Sequence, residues 1–99
     1  MTINVKLLRS STQDKRPTTS QVSEGELALN THQDSGGIFY KNAATEIVKV
    51  GPVQVSTVAP NTNAVGSTGN SIGEQWLDTS LTPNELKVWD GSAWKTTGI

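Results

Sequence analysis

His32, the single histidine, lies two residues before Asp34 in a polar stretch rich in Gly and Asp, residues 32–37. An imidazole and a carboxylate can share a cation or relay a proton, but a nucleophile with a positioned base, or a metal centre, needs several convergent groups. Glu24 and Glu26 stand two positions apart, and two acids on one strand face can push their pKa values apart for acid and base work. With Gly25 between them, solvated or capping carboxylates are expected instead. Gly36-Gly37 and residues 66–69 have no Lys-Ser/Thr continuation and open no helix, so a phosphate-cradling loop is unsupported. No catalytic residue, metal site or cofactor is expected, and the chain is not read as an enzyme.

Trp76, Trp89 and Trp94 offer a different chemistry. Indole faces stack on sugar rings, which would make the chain a carbohydrate-binding module for surface glycans. The competing role is packing, since an enclosed tryptophan buries about 150–250 Å². Packing is favoured because the chain is poor in core residues: Leu, Ile, Val and Phe supply 22 of 99 residues, just above the roughly 20% below which chains tend to stay disordered. At this size the usual supplements are disulfides, a metal or partner subunits. With no cysteine and one histidine, partner subunits are the default, and redox compartment is unconstrained.

Charge excludes little. The net charge is -1, and Arg9, Lys15 and Arg16, with Lys6, cluster before Pro17. Nucleic-acid binding calls for a larger positive excess with interleaved aromatics, so no nucleic acid is expected; the three residues are instead candidates for docking onto an acidic neighbour. Residues 1–9 lack the apolar run of a signal peptide, and no stretch approaches the 18 or so apolar residues of a membrane span. A soluble product without a membrane partner is expected.

These side chains must be held by strands. Sliding the second half back by 48 positions lays Gly73-Glu74-Gln75-Trp76-Leu77-Asp78-Thr79 over Gly25-Glu26-Leu27-Ala28-Leu29-Asn30-Thr31. With one extra residue inserted, Lys87-Val88-Trp89-Asp90-Gly91 then falls on Ile38-Phe39-Tyr40-Lys41-Asn42, pairing Tyr40 with Trp89, and Ile47-Val48 lies near Trp94-Lys95. Leu27 and Leu29 around Ala28, and Leu86 and Val88 around Lys87, give the period-2 alternation of half-buried strands. Asn30-Thr31 and Asp78-Thr79 end strands and start turns. Asp90-Gly91 is a hairpin signal: a two-residue loop sets Trp89 against Ser92 and Trp94 against Lys87, whereas a four-residue loop, 90–93, sets Trp89 against Trp94.

Ile3, Val5 and Leu7 suggest an N-terminal strand, followed by a polar stretch without periodicity to residue 23. Val48, Val50, Val53 and Val55 suggest two short strands or one bent strand broken at Gly51-Pro52. Residues 59–71, rich in Pro, Asn and Gly, have the composition of a flexible or extended linker. The expected organisation is an N-terminal strand and first repeat over 1–55, a linker over 56–72 and a second repeat over 73–99. Neither three-stranded unit can bury both faces alone, which predicts an all-β chain of two short antiparallel repeats, intertwined or packed with its own copies as a homotrimer.

The runs Leu8-Arg9-Ser10-Ser11-Thr12, Pro17-Thr18-Thr19-Ser20-Gln21-Val22, Gly25-Glu26-Leu27-Ala28-Leu29-Asn30-Thr31 and Phe39-Tyr40-Lys41-Asn42 resemble a segment near the start of many phage tail-fibre and other virion appendage proteins. The second half, with Trp76, Leu86-Lys87-Val88-Trp89-Asp90-Gly91 and Trp94, is similar to a repeat of phage fibre and cyanophage structural proteins. More distantly, the pattern resembles the β-prism domain of phage tropism determinants. The resemblance implies a virion protein, made in the bacterial host cytoplasm, that forms a trimer and docks on tail, baseplate or capsid proteins. Fibres of this kind continue into a shaft and a receptor-binding head, whereas the sequence runs only from Trp94 to Ile99. A connector, fibre base or capsid decoration (cement or head-fibre) protein is therefore expected ahead of a full adhesin. Trp76, Trp89, Trp94 and Tyr40 are the candidates for subunit contact or glycan stacking.

Overall fold

The computed structural model describes residues 8–97, which form ten short strands and no helix among the described residues. The expected strand at Ile3, Val5 and Leu7 lies outside them. Chain order gives β1 (Leu8–Ser10), β2 (Lys15–Arg16), β3 (Leu27–Asn30), β4 (Gly37–Lys41) and β5 (Ile47–Val50), then β6 (Gln54–Ser56), β7 (Val65–Gly66), β8 (Gln75–Asp78), β9 (Glu85–Trp89) and β10 (Trp94–Thr96). The chain is all-β.

Two four-stranded sheets share one plan. In the first, β3, β4 and β5 form an antiparallel meander, and β1 adds to β3 in parallel, giving the order β1-β3-β4-β5. In the second, β8, β9 and β10 form the meander and β6 adds to β8 in parallel. Each repeat thus has five strands rather than three, and each sheet is mixed rather than purely antiparallel. The physical reason is the long polar segment inside each repeat. Residues 11–26 and 57–74 exceed the dozen or so residues a parallel crossover needs, so the strand before each segment can return alongside the strand after it.

Register corrects the alignment of the repeats. Leu27 pairs with Tyr40 and Gln75 with Val88; Ala28 pairs with Phe39 and Trp76 with Lys87. The offset of 48 therefore persists through both first hairpins with no inserted residue. Tyr40 is equivalent to Val88, and Trp89 to Lys41. The hydrogen bonds repeat accordingly: the Gly25 amide donates to the Lys41 carbonyl and the Gly73 amide to the Trp89 carbonyl, while Thr31 and Thr79 donate to Ser10 and Ser56. Only the last turn differs, by one residue. Asp90 N donates to Ala93 O, so 90–93 is a four-residue turn and Trp89 lies opposite Trp94.

The segment whose composition suggests a linker is packed. Pro60 and Asn61 are buried, and β7 pairs in parallel with β2 of the first repeat. Asn61 Nδ2 donates to the Ser67 and Gly69 carbonyls, and the Ser67 hydroxyl donates to the Pro17 carbonyl. Gly66 has φ +95°, and a Cβ there would sit 2.1 Å from the Arg16 carbonyl oxygen, so the β2–β7 contact requires glycine. Gly51, Pro52 and Val53 alone separate β5 from β6, which places residues 54–56 in the second sheet.

Candidate functional site

Each sheet has an inner face and an outer face, assigned by alternation along the strands. Ala28, Phe39 and Asn30 point inward in the first sheet and are buried under residues 11–24. Asn30 Nδ2 ties that strap down by donating to the Thr12 and Lys15 carbonyls, and Val22 is buried with it. In the second sheet the equivalent positions hold Trp76, Lys87 and Asp78. Asp78 Oδ2 accepts from Lys87 Nζ at 2.9 Å, and that ammonium sits 4.9 Å from the Trp76 ring centre. The Ser80 hydroxyl first, then Lys87, holds the Asp78 carboxyl below the usual carboxylate range.

The tryptophans form one cluster on this inner face. Trp94 meets Trp76 and Trp89 edge to face, with centroids 5.5 and 5.3 Å apart and planes at 67° and 64°. Trp76 is buried and its Nε1 donates to the Ser56 carbonyl, while Trp89 and Trp94 are half-buried. Edge-to-face contacts at these distances are the geometry of aromatic side chains packed against one another. Tyr40 is elsewhere, on the outer face of the first sheet.

Arg16 is not available for docking. It is 6% exposed, and its guanidinium makes a bidentate pair with Glu74, Nη1 to Oε1 and Nη2 to Oε2 at 2.7 Å each, while lying 5.2 Å from the Phe39 ring centre. Asn70 completes the site, its amide turned to donate to Glu74 Oε2 and the Pro60 carbonyl. The pair fastens the strap of one repeat to the sheet of the other. Lys49 flanks this junction; burial lowers its pKa, Glu74 and Asp14 raise it and Arg16 lowers it further. Arg9 and Lys15 remain exposed. Nothing in the types or spacing of Arg16 and Glu74 signals their meeting, because 58 residues and a strand crossover separate them.

The chemistry-bearing residues stay apart. His32 Nδ1 accepts the Asp34 amide in a local turn. Glu26 Oε1 accepts the Ser23 amide in the turn that enters β3, and Glu24 is exposed. Asp90 caps its own turn, and the Ser92 and Ala93 amides keep its carboxyl below the usual range.

What remains is the outer faces. Leu27, Tyr40 and Val48 lie side by side across the first sheet, as do Leu29, Ile38 and Val50. Leu77, Leu86 and Val55 repeat the second row in the other sheet. Leu27, Ile38, Val50, Val55 and Leu86 are exposed, whereas among the described residues the buried hydrophobic ones are Val22, Ala28, Phe39 and Trp76. No protein-family model matches the chain, and neither a curated protein nor a solved structure matches it.

Proposed function

We propose that the chain is a non-enzymatic structural protein of a bacteriophage virion, a tail-fibre or baseplate-type appendage or connector that works by self-association and docking. One observation carries this reading: among the described residues, eleven large hydrophobic residues are exposed against four buried hydrophobic ones. Soluble monomers rarely leave contiguous apolar patches open, and such patches mark interaction sites. The doubled sheet unit supports a β-prism-like homotrimer, with each copy contributing its walls, and the exposed Arg9 and Lys15 supply the docking contacts to other virion proteins.

Light scattering on the purified chain in solution tests this. A mass three times that of the 10.5 kDa chain is expected. A folded monomer at micromolar concentration would overturn the self-association reading.

A further inference from the structure

We infer that the β1 edge of the first sheet is a docking site for an extended acidic segment of a neighbouring protein, in which one aliphatic side chain fills a pit beside Leu8 and Ala28 and an adjacent carboxylate pairs with Arg9. The inference rests on the docking part of the proposed function and names the chemistry of the partner.

The backbone supplies the edge. β1 ends its sheet, and among the described residues no strand pairs with its other side. The Thr31 amide donates to the Ser10 carbonyl, and Leu8 lies opposite Ala28 and Ser10 opposite Asn30. This parallel register turns the amides and carbonyls of Leu8 and Ser10 toward β3. Those of Arg9 therefore point away from the sheet, one donor and one acceptor open to an added strand.

A pit opens beside this edge, between the inner face and the strap. Its volume is about 70 Å³, and Leu8, Pro17, Ala28 and Phe39 are among its walls. The second repeat shows what such a space holds. There Trp76 stands at the position of Ala28, and its indole reaches the strand equivalent to β1, where Nε1 donates to the Ser56 carbonyl. Alanine leaves the same place open in the first repeat. An apolar cavity of about 150 Å³ admits benzene, so a pit half that size suits a valine or leucine side chain.

Charge selects the partner. Arg9, Lys15 and Arg16 line the pit and its rim, and no carboxylate does. Arg16 is already paired with Glu74, whereas Arg9 and Lys15 are exposed and form no salt bridge among the described residues. The corresponding edge of the second repeat carries Val55 in place of Arg9, so the site belongs to the first repeat. Side chains alternate across a strand. A partner residue set opposite Arg9 thus faces outward with the guanidinium, and its neighbour in sequence faces the pit. The segment that fits alternates acidic and aliphatic residues, with main-chain bonds to the edge holding it and the pit and cations choosing it.

A fluorescein-labelled synthetic peptide alternating glutamate and valine, titrated with the full-length chain and read by fluorescence anisotropy, tests this. Saturable binding is expected. It should weaken about tenfold for Arg9→Glu with circular dichroism retained, and about tenfold for a peptide with glycine in place of valine. Lys95→Glu, at an exposed cation of the other repeat, should leave it unchanged. Absent binding, equal affinity for the valine and glycine peptides, or the same loss at Lys95 as at Arg9 would overturn the site. So would equally tight binding of a single-stranded DNA oligomer of matching charge, which is the behaviour of a bare cationic patch. A failed peptide beside a trimeric mass in light scattering removes this site and leaves self-association standing, and a bound peptide beside a monomeric mass does the reverse.

Discussion

The two repeats run the same backbone over different interiors. In the first, a strap covers the sheet and a single ring, Phe39, fills the space beneath Arg16. In the second, the strap leans away onto its neighbour, and three indoles with Lys87 close the sheet from within. The turn entering each meander is built identically: Ser23 N to Glu26 Oε1 in one and Ser71 N to Glu74 Oε1 in the other. Yet Glu26 is exposed, whereas the Glu74 side chain is 2% exposed and paired with Arg16. Identical local chemistry therefore acquires a global role only where a strap from the other repeat arrives.

The sharpest way to break that comparison is to remove the two glutamates separately. Glu74→Ala leaves the Arg16 guanidinium buried without its counter-ion, and a loss of about 3–5 kcal/mol in urea unfolding is expected. Glu26→Ala removes one exposed turn contact and should cost less than about 1 kcal/mol. Equal losses would show that the repeats are energetically equivalent. The diverged inner positions offer a second contrast: Phe39→Ala should cost about 3–5 kcal/mol through an unfilled core, and Lys87→Ala about 1–3 kcal/mol through the lost charge-assisted hydrogen bond to Asp78. A larger effect at Lys87 than at Phe39 would show that the charged interior of the second repeat outweighs the packed ring of the first.

Acid supplies the gentlest probe. Asp78 has a folded-state pKa below its unfolded value, so its contribution is complete above the unfolded pKa and fades as pH falls through the folded one. Asn30, its equivalent in the first repeat, does not titrate. Wild type should therefore lose its advantage over Asp78→Asn as pH drops from 7 to below the ordinary carboxylate range, read from urea midpoints. A gap that is independent of pH would assign Asp78 a purely steric role.

Much of this architecture was legible in the residues. Alternation around Ala28 and Lys87, turn chemistry at Asn30-Thr31 and Asp78-Thr79, and the repeat itself mark the strands of both meanders. The parallel strands β1 and β6 and the Arg16–Glu74 pair were not, and two further departures are instructive. The alignment of Tyr40 with Trp89 follows aromatic likeness, whereas the backbone ladder sets register and aligns Tyr40 with Val88; similar side chains do not guarantee equivalent places. The Pro, Asn and Gly of residues 59–71 have linker composition, but Asn61 uses its amide to fold the segment on itself and Gly66 permits a contact no other residue allows. Alternation alone shows the apolar rows of both sheets; which side of the first sheet stays open depends on the strap, which carries no periodicity.

The Gly51-Pro52-Val53 joint is the obvious place to cut the molecule in two, yet a cut there would not part it. The 57–74 segment leaves its own sheet, clasps the other half through β2, Pro17 and Arg16, and then returns. Each half thus holds a hook belonging to its neighbour. Tension entering at one end crosses between the halves through the backbone and this clasp together, so the piece resists hinging.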